Sequence, residues 1–270
     1  MKELELAFEN YRKYFWTYEF LLPENVGFPL FGVEHMLWLI FAAGVTMLLL
    51  FVYRKATLYS KVLLERFIGW SMTGWILLLI IYLVAVNYFS IYELPLHLCS
   101  IIGILCGIHS VKVNDSNRRH GLSDVMGQTL YAIGLPSTVL ALLFPNWMVY
   151  PALSFKSIEG FCFHIGIFIY IIIMLKERKI VPCVKDCPKV LAFLGVIILG
   201  VYFIDRTFQL NYIFLLQPSA GSPLELLWEM LGERYYLPVY LSFMGICVFV
   251  MIWAYEMARH LNDRIRAERS

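Results

Sequence analysis

Residues 158–175 read IEGFCFHIGIFIYIIIML and contain a single charged residue, Glu159. An α-helix of this length, at 1.5 Å of rise per residue, is about 27 Å long and nearly crosses the hydrocarbon core of a membrane, which is roughly 30 Å thick. A helix is the expected form, because a lone strand leaves its backbone hydrogen-bonding groups unsatisfied in lipid. This segment therefore predicts a membrane-spanning helix that carries one histidine, His164, in its interior.

Six other apolar runs of similar length occur along the chain, at residues 33–53, 68–90, 94–111, 124–144, 189–209 and 236–258. Of the 270 residues, 60% are apolar or aromatic and only 16% are charged. This composition excludes a disordered chain, and the net charge of +2 gives no reason to expect a nucleic-acid partner. We predict an all-α fold: a polytopic membrane helical bundle with about seven transmembrane helices.

The positive charges predict how the bundle is oriented. The connections after the first, third and fifth runs, together with the C-terminal tail, hold 16 of the 22 Lys and Arg residues. An excess of Lys and Arg marks the cytoplasmic side of a membrane protein. The N-terminus is therefore expected outside and the C-terminus in the cytosol.

Three regions follow from this layout. Residues 33–258 are expected to form one helical membrane domain, because no repeat or linker divides them. In residues 1–32, apolar positions recur at helical spacing between charged residues, at Leu4, Phe8, Tyr11, Phe15 and Tyr18. That spacing predicts an amphipathic interfacial segment or, equally, a helix packed on the outer loops.

Residues 259–270 are expected to form a basic cytosolic tail. The long outer loop 210–235, with a short helix at 224–231, is typical of a cover over a binding site.

Ionisable and reactive side chains inside the apolar runs share one depth. Counted along the predicted helices, seven of them from five spans lie in the outer third of the membrane: Glu34, His35, Asn87, His97, Cys99, His164 and Asp205. Ionisable groups are expensive in hydrocarbon, so each one is by default a functional hypothesis. The shared depth predicts a site between helices near the outer surface.

Cys99 and His164 are the candidate catalytic pair in this layer. A thiol becomes a nucleophile as the thiolate, and a neighbouring imidazole can accept its proton. A third group usually orients the base, and Asp205 or Glu93 is available for this. The alternative is that Cys99 is a small hydrophobic residue and that His164 serves packing or an interhelical hydrogen bond.

Other polar residues receive weaker interpretations. His97 is two residues from Cys99, so a regular helix turns the two side chains to different faces. It would then contact a lipid headgroup or a backbone carbonyl. Cys183 and Cys187 form a C-x₃-C pair, but a metal site needs two further ligands nearby. We therefore expect neither a metal nor another cofactor.

Three groups of short segments resemble a known family. They are residues 94–100 (LPLHLCS), residues 144–145 (FP) with 161–164 (FCFH), and residues 210–212 (LNY) with Leu215, Pro218 and 237–240 (LPVY). In this order they resemble the YwaF-type integral membrane proteins and their eukaryotic relatives, the transmembrane protein 164 group. The first segment is the most specific of the set.

The resemblance implies an all-helical bundle with a site between helices. The eukaryotic members are identified as lipid acyltransferases that move a fatty acyl chain between glycerophospholipids. The positions of their catalytic cysteine and histidine match Cys99 and His164. A more distant relation links them to androgen-induced fatty-acid ester hydrolases, which use threonine in place of the cysteine. Supporting or substrate-binding roles fall to His97, Asp205, Asn211, Tyr212, Asn87 and Glu93, of which Asp205, Asn211 and Tyr212 match family positions loosely.

The favoured hypothesis is a cysteine-dependent acyltransferase that acts on phospholipids and lysophospholipids through a Cys99 thioester. Because its loops are short, the chain resembles the bacterial branch more, which implies a multi-pass protein of a bacterial cell membrane with its site facing the outer leaflet. Three alternatives stay open. They are a lipid ester hydrolase, a transporter or substrate-binding module with the same outer pocket, and a structural subunit whose polar layer only joins helices.

Overall fold

The all-α prediction is confirmed. The computed structural model describes residues 11–115, 121–218 and 223–267, and in these ranges it contains no β-strand. The described part of the chain has seven long helices: α1 (Val33–Lys55), α2 (Leu58–Ala85), α3 (Leu98–Asp115), α4 (Leu122–Leu143), α5 (Phe155–Lys176), α6 (Cys187–Phe208) and α7 (Pro223–Ala267). We call the end of the bundle at which α3 and α5 begin the upper end, and the opposite end the lower end.

Six of these helices are long and apolar enough to cross a membrane. The seventh, α3, has a shorter apolar part at Leu98–Val113. The protein is therefore an integral multi-pass membrane protein, whereas its orientation in the membrane stays a prediction.

Several helices differ in extent from the apolar runs in the sequence. Helix α2 begins at Leu58 rather than at residue 68, and α3 begins at Leu98 rather than at 94, because a 3-10 turn at Ile91–Glu93 precedes it. Pro95 thus lies before the helix and not in its first turn. Helix α7 continues to Ala267, so most of the predicted tail at 259–270 is helical.

The N-terminal segment is helical over a shorter stretch than predicted. Residues 1–10 lie outside the described residues, and the helix ends at Tyr14 rather than continuing through Tyr18. The chain then packs on the upper end of the bundle, where Trp16 stacks on Phe155 with ring centroids 5.0 Å apart and Tyr18 stacks on Tyr88 at the same distance. The aromatic rings of this segment are therefore held by tertiary packing on the bundle and are not aligned along one helical face.

Helix α5 is the central element. It packs against α1, α2, α3 and α4, and most of its side chains are buried. Helix α1 is peripheral, with only 11% of its apolar window buried inside the protein, so most of its side chains are left to face lipid. His164 therefore lies on the helix best shielded from the surroundings.

Helix α4 contains a π-helical turn at Leu130–Gly134, immediately before Pro136. Proline has no N–H to continue the regular ladder, and the Leu135 N–H instead bonds the Leu130 carbonyl. The proline is thus accommodated by a π-turn, and all five residues of that turn are buried.

The predicted outer loop, residues 210–235, contains the start of the last helix. Helix α7 begins at Pro223 and breaks at Gly232, whose φ of 70° is outside the helical region. The short helix expected at 224–231 is therefore present. Gly232 suits the break, since glycine adopts positive φ without steric cost.

We predict that Gly69→Ala destabilises the bundle. A Cβ atom at Gly69 of α2 would lie 2.8 Å from the Cys106 carbonyl oxygen and 3.0 Å from Ser110 of α3. A backbone carbonyl cannot move aside as the end of a flexible side chain can. We therefore expect a loss of about 1–3 kcal/mol in the free energy of unfolding. An SDS titration in detergent micelles measures it.

Gly74→Ala is the matched control, because it lies on the same helix and nothing is within 4 Å of its added Cβ. We expect this change to be neutral or slightly stabilising through helix propensity. Equal losses for the two variants would contradict the close-approach argument.

Candidate functional site

Cys99 is the second residue of α3 and is half-buried. The Ile101 N–H donates to the His97 carbonyl at 3.0 Å, which makes His97 the residue that caps the helix. Among the described residues the Ser100 N–H has no acceptor. First-turn N–H groups carry partial positive charge, so a negative sulfur or oxygen placed here meets hydrogen-bond donors.

Helices α3 and α5 approach closely just below Cys99. Gly103 is one turn further along α3, and a Cβ atom there would lie 2.7 Å from the ring of Phe163. Phe163 directly precedes His164, so Cys99 and His164 lie on packed helices that begin at the same end. Among the described residues no hydrogen bond joins the two side chains. Catalytic hydrogen bonds of this kind often tighten only when the substrate binds.

His164 has a defined tautomer. Its Nδ1 lies 2.7 Å from the Gly160 carbonyl oxygen. A carbonyl only accepts, so Nδ1 carries the proton and Nε2 presents a lone pair. Among the described residues Nε2 has no hydrogen-bond partner. The group that orients His164 is therefore the Gly160 carbonyl, and the prediction that Asp205 or Glu93 would do so was wrong.

His35 on α1 is arranged differently, although it is also buried. Its Nδ1 accepts from the Phe31 N–H at 3.0 Å, and its Nε2 lies 2.9 Å from the Leu142 carbonyl oxygen. Both ring nitrogens are thus engaged with backbone groups. Of the two histidines, only His164 has a nitrogen available for proton transfer.

Glu93 joins the N-terminal segment to the bundle. It accepts a hydrogen bond from the Tyr18 hydroxyl at 2.9 Å. Burial and this bond raise the pKa of Tyr18. Glu93 therefore fastens residues near the upper end instead of contacting His164.

Asp205, Tyr212 and His97 form a connected group. Asp205 is fully buried, and its Oδ1 accepts from the Tyr212 N–H at 3.0 Å, while its Oδ2 has no partner among the described residues. The Tyr212 hydroxyl donates to the Ile91 carbonyl, and its ring contacts His97 edge-on with centroids 5.0 Å apart. Burial and the nearby Asp205 carboxylate raise the pKa of Tyr212. The group connects the loop after α6 to the segment just before Cys99.

Asn211 and Asn87 have local backbone roles. The Asn211 side chain accepts from the N–H groups of Leu216 and Gln217 and donates to the Gln217 carbonyl. Asn87 ends α2 with a φ of 59° and is exposed. Asparagine tolerates this left-handed conformation better than most residues. In this structure both asparagines shape turns.

One side chain at this end was missed from the sequence. Trp147, in the connection between α4 and α5, is buried and lies parallel to the His164 ring, with centroids 5.1 Å apart. An apolar aromatic residue in an apolar chain gives no signal of its own. Its place depends on Gly160, where a Cβ atom would lie 2.7 Å from the indole.

Among the described residues, no group of three or more His, Cys, Asp or Glu side chains is placed to hold a metal ion. The chemistry available at the upper end is that of the thiol of Cys99, the imidazole of His164, the buried Asp205 carboxylate and free backbone N–H groups.

The fold and these residues define a multi-pass helical membrane protein with a candidate site between its helices near one end. The family model described as TMEM164 family matches residues 30–254, and the chain belongs to this family. The relation to the transmembrane protein 164 group is therefore confirmed. No curated protein and no solved structure matches the chain.

Proposed function

We propose that this protein is an intramembrane acyltransferase that moves a fatty acyl chain between glycerophospholipids through a thioester on Cys99. The observation that carries the proposal is the state of His164, whose Nδ1 is fixed by Gly160 and whose Nε2 has no partner among the described residues. A general base needs such an unoccupied nitrogen, and His164 lies on the helix packed against α3 just below Cys99. The resemblance to lipid acyltransferases supports the same chemistry.

The first half-reaction forms the thioester. His164 Nε2 takes the proton from the Cys99 thiol, and the sulfur attacks the carbonyl carbon of a phospholipid ester. The carbon–oxygen ester bond then breaks, and the leaving lysolipid oxygen receives the proton from His164. Burial disfavours a free thiolate, so proton removal by an adjacent base is the step that makes Cys99 reactive.

The second half-reaction returns the enzyme to its starting state. The hydroxyl of a lysophospholipid gives its proton to His164 Nε2 and attacks the thioester carbonyl. The carbon–sulfur bond breaks, and the Cys99 sulfur takes back the proton. Water in place of this hydroxyl gives hydrolysis, so the acceptor alone separates a transferase from a lipid hydrolase.

The position of Cys99 agrees with a lipid substrate. It lies in the first turn of α3, close to the upper end, whereas Cys106 on the same helix is fully buried. Glycerol ester carbonyls lie at the boundary between headgroups and hydrocarbon, so a nucleophile near a helix end meets them at the right depth. In the predicted orientation this depth belongs to the outer leaflet.

A thioester trap tests the proposal. Purified protein is incubated with a mixture of phospholipids that carry a clickable acyl chain, and the labelled protein is mapped by mass spectrometry. Label on Cys99 that hydroxylamine removes is the expected result. A folded protein that acquires no label from a broad mixture would contradict the acyl-enzyme and favour a substrate-binding module.

We predict that two buried histidines respond oppositely to substitution. His164→Gln should lower the rate of Cys99 acylation by about 10²–10⁴-fold, because a general base is lost. His35→Gln should leave that rate near the wild-type value and lower the thermal midpoint, because two hydrogen bonds to backbone are disturbed. Time courses of thioester labelling and thermal melts in the same detergent measure both quantities. Equal acylation rates in the two variants would remove His164 from the mechanism.

A further inference from the structure

Trp147 carries a buried hydrogen-bond donor that nothing satisfies. Its Nε1 has no hydrogen-bond partner among the described residues, although the side chain is only 6% exposed. Trp38, another tryptophan at this end of the bundle, donates its Nε1 hydrogen to the Ala152 carbonyl at 2.9 Å. Indole N–H groups usually find a partner when buried, and an unpaired one costs stability. The unpaired donor of Trp147 therefore needs an explanation.

The indole lies against the base of the proposed reaction. Its Cε2 atom, which is bonded to Nε1, lies 2.7 Å from the position of a Cβ atom at Gly160. Gly160 is also the residue whose carbonyl fixes His164, and the two rings are tilted by only 23°. The absence of a side chain at Gly160 lets the indole occupy this place. The unpaired N–H of Trp147 thus lies beside the helical turn whose Gly160 carbonyl fixes the base.

We propose that the Trp147 indole N–H donates a hydrogen bond to the carbonyl oxygen of the acyl group that Cys99 attacks. The inference rests on the proposed acyl transfer, since it assigns this donor to the ester of that reaction. When the sulfur attacks, the π electrons of the carbonyl move onto oxygen, and a donor already in place stabilises the negative charge. Trp147 then acts beside the first-turn N–H groups of α3, such as that of Ser100.

The unpaired state in the free protein agrees with this role. A donor held by the protein would have to break that bond before it met the substrate, whereas Trp147 has nothing to break. Its orientation is fixed by stacking on His164 and by an edge contact with Phe161 at 5.3 Å. A donor fixed in this way keeps its orientation at the moment of reaction.

The test removes the N–H: benzothienylalanine keeps the fused ring system, and phenylalanine keeps a single aromatic ring. In Trp147→Phe, and in a protein carrying benzothienylalanine at position 147, the rate of Cys99 acylation by the clickable phospholipid should fall by about 10²-fold or more. The thermal midpoint should stay the same or rise in the benzothienylalanine protein, because no protein hydrogen bond is lost and the shape of the ring is retained. A residue that serves only the fold would show the opposite pattern.

Alkylation by iodoacetamide supplies the second readout. This reagent reacts with the Cys99 sulfur by displacement at a CH₂ carbon, with loss of iodide, and no negative oxygen develops. Removing the N–H should therefore slow acylation while the alkylation rate at Cys99 stays at the wild-type value. Trp38→Phe is the control, and it should lower the thermal midpoint and leave both rates unchanged.

The outcomes separate this inference from the proposed function. Wild-type protein that is acylated, together with an unaltered acylation rate in both Trp147 proteins, overturns the donor role and leaves the acyltransferase proposal intact. Equal slowing of acylation and alkylation also overturns it, because Trp147 would then act through the Cys99–His164 pair. Wild-type protein that is never acylated contradicts the proposed function itself.

Discussion

Cys99→Ala is expected to lower acyl transfer between phospholipids by at least about 10³-fold, because removing the nucleophile of a covalent mechanism abolishes its intermediate. The hydroxylamine-sensitive label should disappear together with turnover. Cys99 is half-buried near the start of α3, and alanine has good helix propensity there, so the fold should persist. Labelling and the formation of new phospholipid, followed by mass spectrometry in the same samples, measure the two effects.

Two further variants isolate the chemistry of the sulfur. Cys162→Ala removes another half-buried cysteine, two residues from His164 on α5, and should retain the label and turnover. Cys99→Ser should react far more slowly, and any acyl group that it acquires should be an oxygen ester that resists neutral hydroxylamine. Full turnover in Cys99→Ala would end the thioester mechanism.

The apolar runs predicted the helices well where nothing polar interrupts them. Helix α6 was expected at 189–209 and is found at Cys187–Phe208. Helix α2 was placed about ten residues too late, because Lys61, Glu65 and Arg66 near its start resemble a loop. Glu65 is tolerated inside the helix because it is paired with Lys179, a residue far away in the chain. Hydropathy is a local property, so it could not identify this partner.

The candidate site was predicted only in part, again because a local property of the sequence does not identify contacts between distant residues. Helical depth placed Cys99 and His164 near the same surface, and the structure has them on packed helices. The orienting partner of His164 was assigned to a carboxylate, whereas the Gly160 carbonyl of its own helix takes that place. Trp147 could not be found from depth, because it lies in a connection and its contact with Gly160 depends on how α5 packs.

The polar layer inferred from the sequence therefore contains residues of two kinds. His35 and Asn87 shape or hold the chain, since their polar or backbone features are accounted for locally. Asp205 Oδ2 is a buried polar atom without a partner among the described residues, and so is Nε1 of Trp147, which the sequence did not place in this layer. Buried polar groups in native proteins are nearly always paired, so unpaired ones at one end of a bundle are candidates for contact with a ligand.

The largest expected loss of stability is at the lower end of the bundle. The Glu65 carboxylate on α2 is fully buried, and it receives a hydrogen bond from Tyr53 of α1 at 2.5 Å and an ion pair from Lys179, just after α5, at 2.6 Å. Lys179→Met removes this ion pair from the buried carboxylate. We expect a loss of about 3–5 kcal/mol in the free energy of unfolding, measured by SDS titration in detergent micelles.

An exposed ion pair at the same end gives the control. Lys61 and Glu177 are 3.1 Å apart and both remain partly exposed, so Glu177→Gln should cost only about 0–1 kcal/mol. The double variant Glu65→Gln/Lys179→Met should recover much of the loss, because the uncompensated charge is gone. If Lys179→Met costs no more than Glu177→Gln, the buried pair does not join the helices. If Lys179→Met costs more, the Glu65–Lys179 pair fixes the lower part of α5. His164 then lies on a helix that is anchored at the end opposite the candidate site.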